Sequence, residues 1–365
     1  MLSPREAVRT LHSYHPPLGG REGLRLDFNE NAVGCSPRVL ECLLRLDREQ
    51  LTRYPEREPV EALVADSLGV APSEMLLTNG VDEAIHLLCE TYLDPGDEAL
   101  IVVPTYSMYR IYAAATGAQV IQVPAGKDLR FPAEDLLRQI TPRTRLIAIA
   151  NPNNPTGAVA PQDQLLLIAH SAPAAAILVD EAYFEFYGET LLPNRRQFPH
   201  LFVARTFSKA YGLAGLRIGV LAGDAEQMRA VRRVASPYNV NAVALACLPD
   251  ALADQAYVWK YVGEVLQGRR QLERALKASG IPFWPSQANF VLARVGTPEF
   301  AHQMRKRGIL VRDRSTDHGC EGCVRITLGS LAHTNRLIAA LQETVQELAI
   351  TQGASAQATP PGVQE

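Results

Sequence analysis

Between Met75 and Val220, short apolar runs alternate with helix-length segments, and each run stops at a polar or aromatic cluster. Runs that are apolar at consecutive positions belong to strands buried on both faces. Their alternation with helix-length segments predicts an α/β architecture, a mostly parallel central sheet with helices on both faces. Met75-Leu76-Leu77-Thr78 leads to Asn79-Gly80-Val81-Asp82-Glu83, and Ala99-Leu100-Ile101-Val102-Val103 leads to Pro104-Thr105-Tyr106. Leu146-Ile147-Ala148-Ile149-Ala150 leads to Asn151-Pro152-Asn153-Asn154-Pro155-Thr156-Gly157. Ala175-Ala176-Ile177-Leu178-Val179 ends in Asp180-Glu181-Ala182-Tyr183, and Leu201-Phe202-Val203-Ala204 precedes Thr206-Phe207-Ser208-Lys209. Ligands of open parallel sheets bind outside the carboxyl ends of the strands, so these tips are expected to converge on one cleft.

The 365 residues exceed one ordinary domain. Past Tyr238 the texture changes to a long helical stretch around 251–278, three strand-like runs ending with Val324-Arg325-Ile326-Thr327-Leu328, and a closing helix near 332–348. The expected division is an N-terminal arm over 1–35 that partly joins the small domain, a large domain over 36–240, and a small α+β domain over 241–350. The tail, 351–365, is rich in Gly, Ala, Gln and Pro and is expected to be disordered.

A net charge of −3 argues against an electrostatic binder of nucleic acid or membrane, and no apolar run approaches the roughly 18 residues of a membrane span. The opening Met1-Leu2-Ser3-Pro4-Arg5-Glu6 lacks an apolar core and carries an acid early, unlike a signal or transit peptide, so cytoplasm is the expected location. The six cysteines are dispersed, and only Cys320-Glu321-Gly322-Cys323 has suggestive spacing. With no second pair to complete a tetrahedron, it reads as two reduced thiols in a turn, and no metal is expected.

The chain uses five lysines against thirty-one arginines, and Lys209 stands at a strand tip. Asp180 emerges at the same edge; alone it is as well explained as an N-cap. Together the two are the pair that pyridoxal 5′-phosphate needs, an amine for covalent attachment and an acid facing the pyridinium nitrogen. Opposite charges about 3 Å apart interact by several kcal/mol at an effective dielectric near 20, enough to keep that nitrogen protonated. A phosphate dianion wants N–H groups at a helix start and fixed donors. Gly80, Val81 and Asp82 open a helix, Thr206 and Ser208 flank the lysine, and Arg217 sits between glycines and apolar residues, where burial without an anion is expensive. Tyr106 would lay its ring on the cofactor and Tyr183 would offer its hydroxyl to the phenolic oxygen, or both are core aromatics. Arg325 shares a strand face with Thr327 and suits a substrate carboxylate.

In order along the chain stand Asn29-Glu30-Asn31, Arg53-Tyr54-Pro55, Thr78-Asn79-Gly80-Val81-Asp82-Glu83, Asn151-Pro152-Asn153-Asn154-Pro155-Thr156-Gly157, Val179-Asp180-Glu181-Ala182-Tyr183, Ser208-Lys209-Ala210-Tyr211-Gly212-Leu213-Ala214-Gly215-Leu216-Arg217 and Pro237-Tyr238-Asn239-Val240-Asn241. From about Tyr14 to Leu348 the chain thereby resembles the histidinol-phosphate aminotransferases, fold-type I pyridoxal-phosphate enzymes. The resemblance implies a homodimer with shared active sites, in which Tyr54 reaches the neighbouring subunit's cofactor phosphate. It implies that Lys209 and Asp180 are catalytic, that Asn154 and Tyr183 hold the phenolic oxygen, and that Tyr106 stacks on the ring. Gly80, Val81, Thr206, Ser208 and Arg217 would cradle the cofactor phosphate, and Asp82 would belong to the cofactor-binding set. Arg325 would take the α-carboxylate of glutamate, and Arg312, Tyr14 and Asn29 the phosphate of the substrate. One departure stands out: the family's Asn-Glu-Asn continues as Pro-Tyr-Gly-Pro, and here it continues Ala32-Val33-Gly34-Cys35.

Rivals of the same fold are an aromatic amino-acid aminotransferase, which needs no Arg312, and a threonine-phosphate decarboxylase, which releases carbon dioxide. A dinucleotide dehydrogenase would carry Gly-x-Gly-x-x-Gly after an early strand, and none is present. A cofactor-sensing regulator would need a DNA-binding module, for which the short N-terminal arm has no room.

Overall fold

Every residue of Met75–Thr78, Ala176–Asp180 and Gly219–Ala222 is buried, as strands covered on both faces must be. The computed structural model describes residues 2–348, so the tail expected to be disordered lies outside the described residues. β1 (Leu24–Arg25) lies apart from the large sheet, which is built from β2 (Met75–Thr78), β3 (Glu98–Val103), β4 (Gln119–Pro124), β5 (Thr144–Ala150), β6 (Ala176–Asp180), β7 (Leu201–Thr206) and β8 (Gly219–Ala222). Their order is β2-β8-β7-β6-β5-β3-β4, and β8 alone runs antiparallel to its neighbours. Because of that reversal, Gly219 at the start of β8 pairs with both Thr78 and Thr206 at the ends of β2 and β7. The turn before β8 therefore delivers Arg217 to the same edge as the other strand tips.

Side chains alternate between two apolar layers. Leu77, Ile147, Ile177, Val179 and Val203 face one, with helices Glu58–Leu68, Gln162–Ser171 and Ala242–Ala253 packed on them. Leu76, Ile101, Leu178 and Phe202 face the other, under helices Gly80–Tyr92, Ser107–Thr116 and Ala225–Arg232. Each such large side chain contributes about 1.5–3 kcal/mol by leaving water, which outweighs the modest preferences of the connecting loops.

The smaller domain contains β9 (Phe283–Trp284), β10 (Phe290–Arg294), β11 (Ile309–Leu310), β12 (Arg312–Asp313) and β13 (Cys323–Thr327). Four of these form an antiparallel sheet in the order β12-β13-β10-β9, while β11 pairs in parallel with β1. Leu24 and Leu26 of the arm join the apolar cluster of this domain with helices Gln255–Ala278 and Leu331–Glu347. The packing partner of the chain changes at Asp254 and not at 241, because Ala244, Leu245, Leu248 and Ala251 are buried against the large sheet's layer. Cys320 and Cys323 are buried free thiols joined by a turn in which the Cys323 N–H donates to the Cys320 carbonyl at 2.9 Å. No helix among the described residues is long and apolar enough to cross a membrane.

Candidate active site

β6 and β7 are neighbours, with Asp180 opposite Ala204, so the acid and the lysine lie on adjacent strand tips. Both line a cavity of about 660 Å³ between the carboxyl edge of the large sheet and the small domain. Asp180 is buried. Its Oδ2 accepts the Tyr109 hydroxyl, and its Oδ1 accepts the Ala182 N–H at 3.0 Å. Burial pushes its carboxyl up to about 6, against the pull of those two donors. Lys209 Nζ donates to the Phe28 carbonyl at 3.2 Å. Burial, helped by the nearby Arg325 charge, pulls the amine down to about 8.

The carbonyl that meets Lys209 is set by the arm. Arg21 pairs with Asp27 at 2.9 Å and Glu30 at 2.7 Å and lies over the Phe28 ring, clamping the segment that ends at Asn29. Asn29 adopts a positive φ of 55°, a conformation that asparagine tolerates better than most residues. Its Nδ2 donates to the Tyr183 hydroxyl at 2.8 Å, and its Oδ1 accepts from Thr327 Oγ1 at 3.0 Å. Asn29 lines the cavity, and its 1% exposed amide is hydrogen-bonded to protein at both ends.

At one end of the cavity, Gly80 begins its helix with φ 73°, and a Cβ there would come within 2.5 Å of the Arg217 guanidinium. Gly219 is also packed against backbone, since its Cβ would lie 2.9 Å from the Gly80 carbonyl carbon and 3.1 Å from the Val81 nitrogen. The helix start, Arg217 and the strand edge therefore form a cradle that only glycine permits. Asp82 accepts the Tyr106 hydroxyl at 2.7 Å and pairs with Arg217 at 2.9 Å. Thr206 Oγ1 accepts the Ser208 N–H at 3.1 Å, while the buried Ser208 Oγ has no partner. An orphaned buried hydroxyl beside a glycine-lined helix start and a fixed cation suits a phosphate dianion, and the acid and amine beyond it suit the ring of pyridoxal phosphate.

At the other end Arg325 donates to Asn154 Oδ1 and the Asp27 carbonyl, both at 2.5 Å, leaving its buried Nε without a partner. Burial pulls its guanidinium down to about 10. Among the described residues neither Arg325 nor Arg312 forms an ion pair; Arg312 lies over the Phe28 ring instead. A buried guanidinium without a carboxylate is costly unless an anion arrives. Tyr14 lines the same end. Of the residues singled out in the sequence, Tyr54 stands apart from the cavity lining, 76% exposed and stacked on Tyr238 at 4.1 Å.

Tyr109 and Arg314 also line the cavity and were not singled out in the sequence. Tyr109 follows Tyr106 by three positions, a spacing that places both on one helix face and was the available signal. Arg314, paired with Asp317, adds a third arginine to the wall and carries no motif of its own.

The family model for aminotransferase class I and II matches residues 21–341, which include every lining residue discussed except Tyr14. The chain belongs to this aminotransferase family. Among its relatives, a histidinol-phosphate aminotransferase of Paracoccus denitrificans is 36% identical, covering 95% of this chain and 97% of the relative. Another, of Geobacillus sp. (strain WCH70), is 34% identical over 95% of this chain and 96% of its own length. The crystal structure of histidinol-phosphate aminotransferase from Sinorhizobium meliloti in complex with pyridoxal-5′-phosphate superposes with a TM-score of 0.85 at 26% identity, covering 94% of this chain and 97% of that one.

Proposed function

We propose that this aminotransferase interconverts L-histidinol phosphate and 2-oxoglutarate with imidazole-acetol phosphate and L-glutamate, using pyridoxal 5′-phosphate, as a cytoplasmic step of histidine biosynthesis. One observation carries the reading: an amine and an acid on adjacent strand tips share a cavity with two arginines that have no ion pair. When bound, the cofactor supplies a sink for the electron pair left when the substrate Cα loses its proton. Lys209 would hold the cofactor covalently, and its freed amine would take the proton from the substrate Cα as general base and give it up at the cofactor's C4′ as general acid. An amine pulled down to about 8 performs both roles near neutral pH. Asp180 sustains the positive charge of the ring nitrogen, Tyr106 packs on the ring, and Asn154 and Tyr183 hold the phenolic oxygen. Gly80, Val81, Thr206, Ser208 and Arg217 hold the cofactor phosphate, with Asp82 orienting Arg217 through their ion pair. Arg325 binds the α-carboxylate of glutamate, and Arg312 with Tyr14 binds the phosphate of the amine substrate. Asn29 acts on this arrangement by fixing Tyr183. The active unit is a homodimer in which the partner subunit's Tyr54 completes the phosphate site.

The test has two arms. Borohydride treatment of the loaded wild type should leave a covalent adduct that Lys209→Ala lacks; an adduct persisting in that variant removes the lysine from its role. Separately, bleaching of the cofactor's visible band should be fastest with histidinol phosphate, slower with histidinol and phenylalanine. A preference for phenylalanine would make the chain an aromatic aminotransferase, and carbon dioxide release from threonine phosphate would make it a decarboxylase.

A further inference from the structure

We infer that Tyr109 is a positioning residue for the reaction: its hydroxyl fixes the Asp180 carboxylate and keeps the proton that carboxylate shares with the cofactor's ring nitrogen on the nitrogen. This rests on the cofactor assignment above and goes beyond it, since the acid alone does not decide where a shared proton sits.

The geometry is specific. Tyr109 lies in helix Ser107–Thr116, its ring 1% exposed in the apolar layer with Ala84, Ile85 and Leu88. It meets the Tyr106 ring edge-on, at 5.9 Å and 89°, so its orientation is locked by packing. Its one hydroxyl donates to Asp180 Oδ2, while Oδ1 takes the Ala182 N–H. Each carboxylate oxygen has two acceptor sites, so both oxygens are anchored on the protein side and each keeps one site free. A carboxylate gripped this way cannot rotate without losing a buried hydrogen bond.

The same contact sets where a shared proton rests. A donor to the carboxylate lowers its proton affinity; the acids near Asp180, the half-buried Asp82 and the buried Glu181, raise it, as does burial itself. Tyr109 and the Ala182 N–H are the counterweights. Without the phenol the proton moves from ring nitrogen to Asp180, the ring loses its positive charge, and the electron sink weakens. Were Tyr109 only filling space, its loss would change stability and leave the proton where it is.

The experiment uses the holoenzyme carrying pyridoxal phosphate with an isotope-labelled ring nitrogen, read by nitrogen NMR. Tyr109→Phe keeps the ring and removes only the hydroxyl. The ring-nitrogen resonance should move toward the neutral pyridine position, and kcat should fall about tenfold with KM for glutamate changed less than about twofold. A ring-fluorinated tyrosine at position 109, an isosteric and more acidic donor, should leave the resonance at or beyond the protonated position. Equal resonances in all three proteins overturn the inference alone. A wild type that shows no bound cofactor resonance overturns the cofactor assignment, and this inference with it.

Discussion

At the scale of single residues the decisive quantity is the charge state of Lys209. An ordinary lysine is neutral in only about one molecule in a few thousand at pH 7, whereas an amine pulled down to about 8 is neutral in roughly one in ten. The direction of the effect follows: capture of the cofactor needs the neutral amine, so the apo-chain should capture pyridoxal phosphate at a rate that climbs tenfold per pH unit below about 8 and levels above it. Dividing by the rate of a free lysine analogue cancels the ionisation of the cofactor itself, and the ratio should be flat below about 8 and then fall about tenfold per pH unit until the analogue itself deprotonates at about 10.4. Stopped-flow absorbance from pH 6 to 11 checks this. A ratio that stays flat through pH 10 would mean that the amine is not enclosed as described. Arg325 illustrates the same logic with opposite use, since a buried guanidinium with an unpartnered Nε stores a demand for an anion.

At the scale of elements, the helix starting at Gly80 carries the phosphate reading. Its positive φ strains any L side chain, and a Cβ would strike the Arg217 guanidinium. Gly80→Ala should therefore fold, because the strain is local, yet bind pyridoxal phosphate about tenfold to a hundredfold more weakly through the displaced Arg217. Equilibrium dialysis measures it, and unchanged affinity would detach this helix start from the cofactor. The strand tips around it were legible in the sequence because strands buried on both faces read as unbroken apolar runs, which leaves chemistry visible at their ends. Less visible were the contacts made across elements. The antiparallel reversal of β8 has no local signature, since Gly219-Val220-Leu221-Ala222 reads like its parallel neighbours. Helix Ala242–Ala253 is apolar over most of its length, and a pattern alone does not say which of two cores it joins. Asn29 entered the reading only through the family resemblance, because its hydrogen bonds to Tyr183 and Thr327 span 154 and 298 residues of sequence.

At the scale of the molecule, the single chain leaves apolar surface where a second copy fits the proposal. Helix Pro37–Arg45 exposes Leu40, Leu43 and Leu44, helix Arg48–Thr52 exposes Leu51, and Tyr54 follows directly. Tyr54 stands outside the lining of its own chain's cavity and stacks on Tyr238, which is also exposed, so it is free to serve a neighbour as proposed. Shared sites can be tested by complementation. Lys209→Ala and Tyr54→Ala subunits, carrying different affinity tags and produced together, should yield a heterodimer isolated through both tags. If Tyr54 acts across the interface, one of its two sites combines the Lys209 of one subunit with the Tyr54 of the other and is intact, while the other site lacks both. Its activity should then be about half that of the wild type, far above either parent. If Tyr54 acts within its own chain, each site lacks one of the two groups, and the heterodimer should do no better than the Tyr54→Ala homodimer. Failure to recover any doubly tagged species would count against the dimer itself.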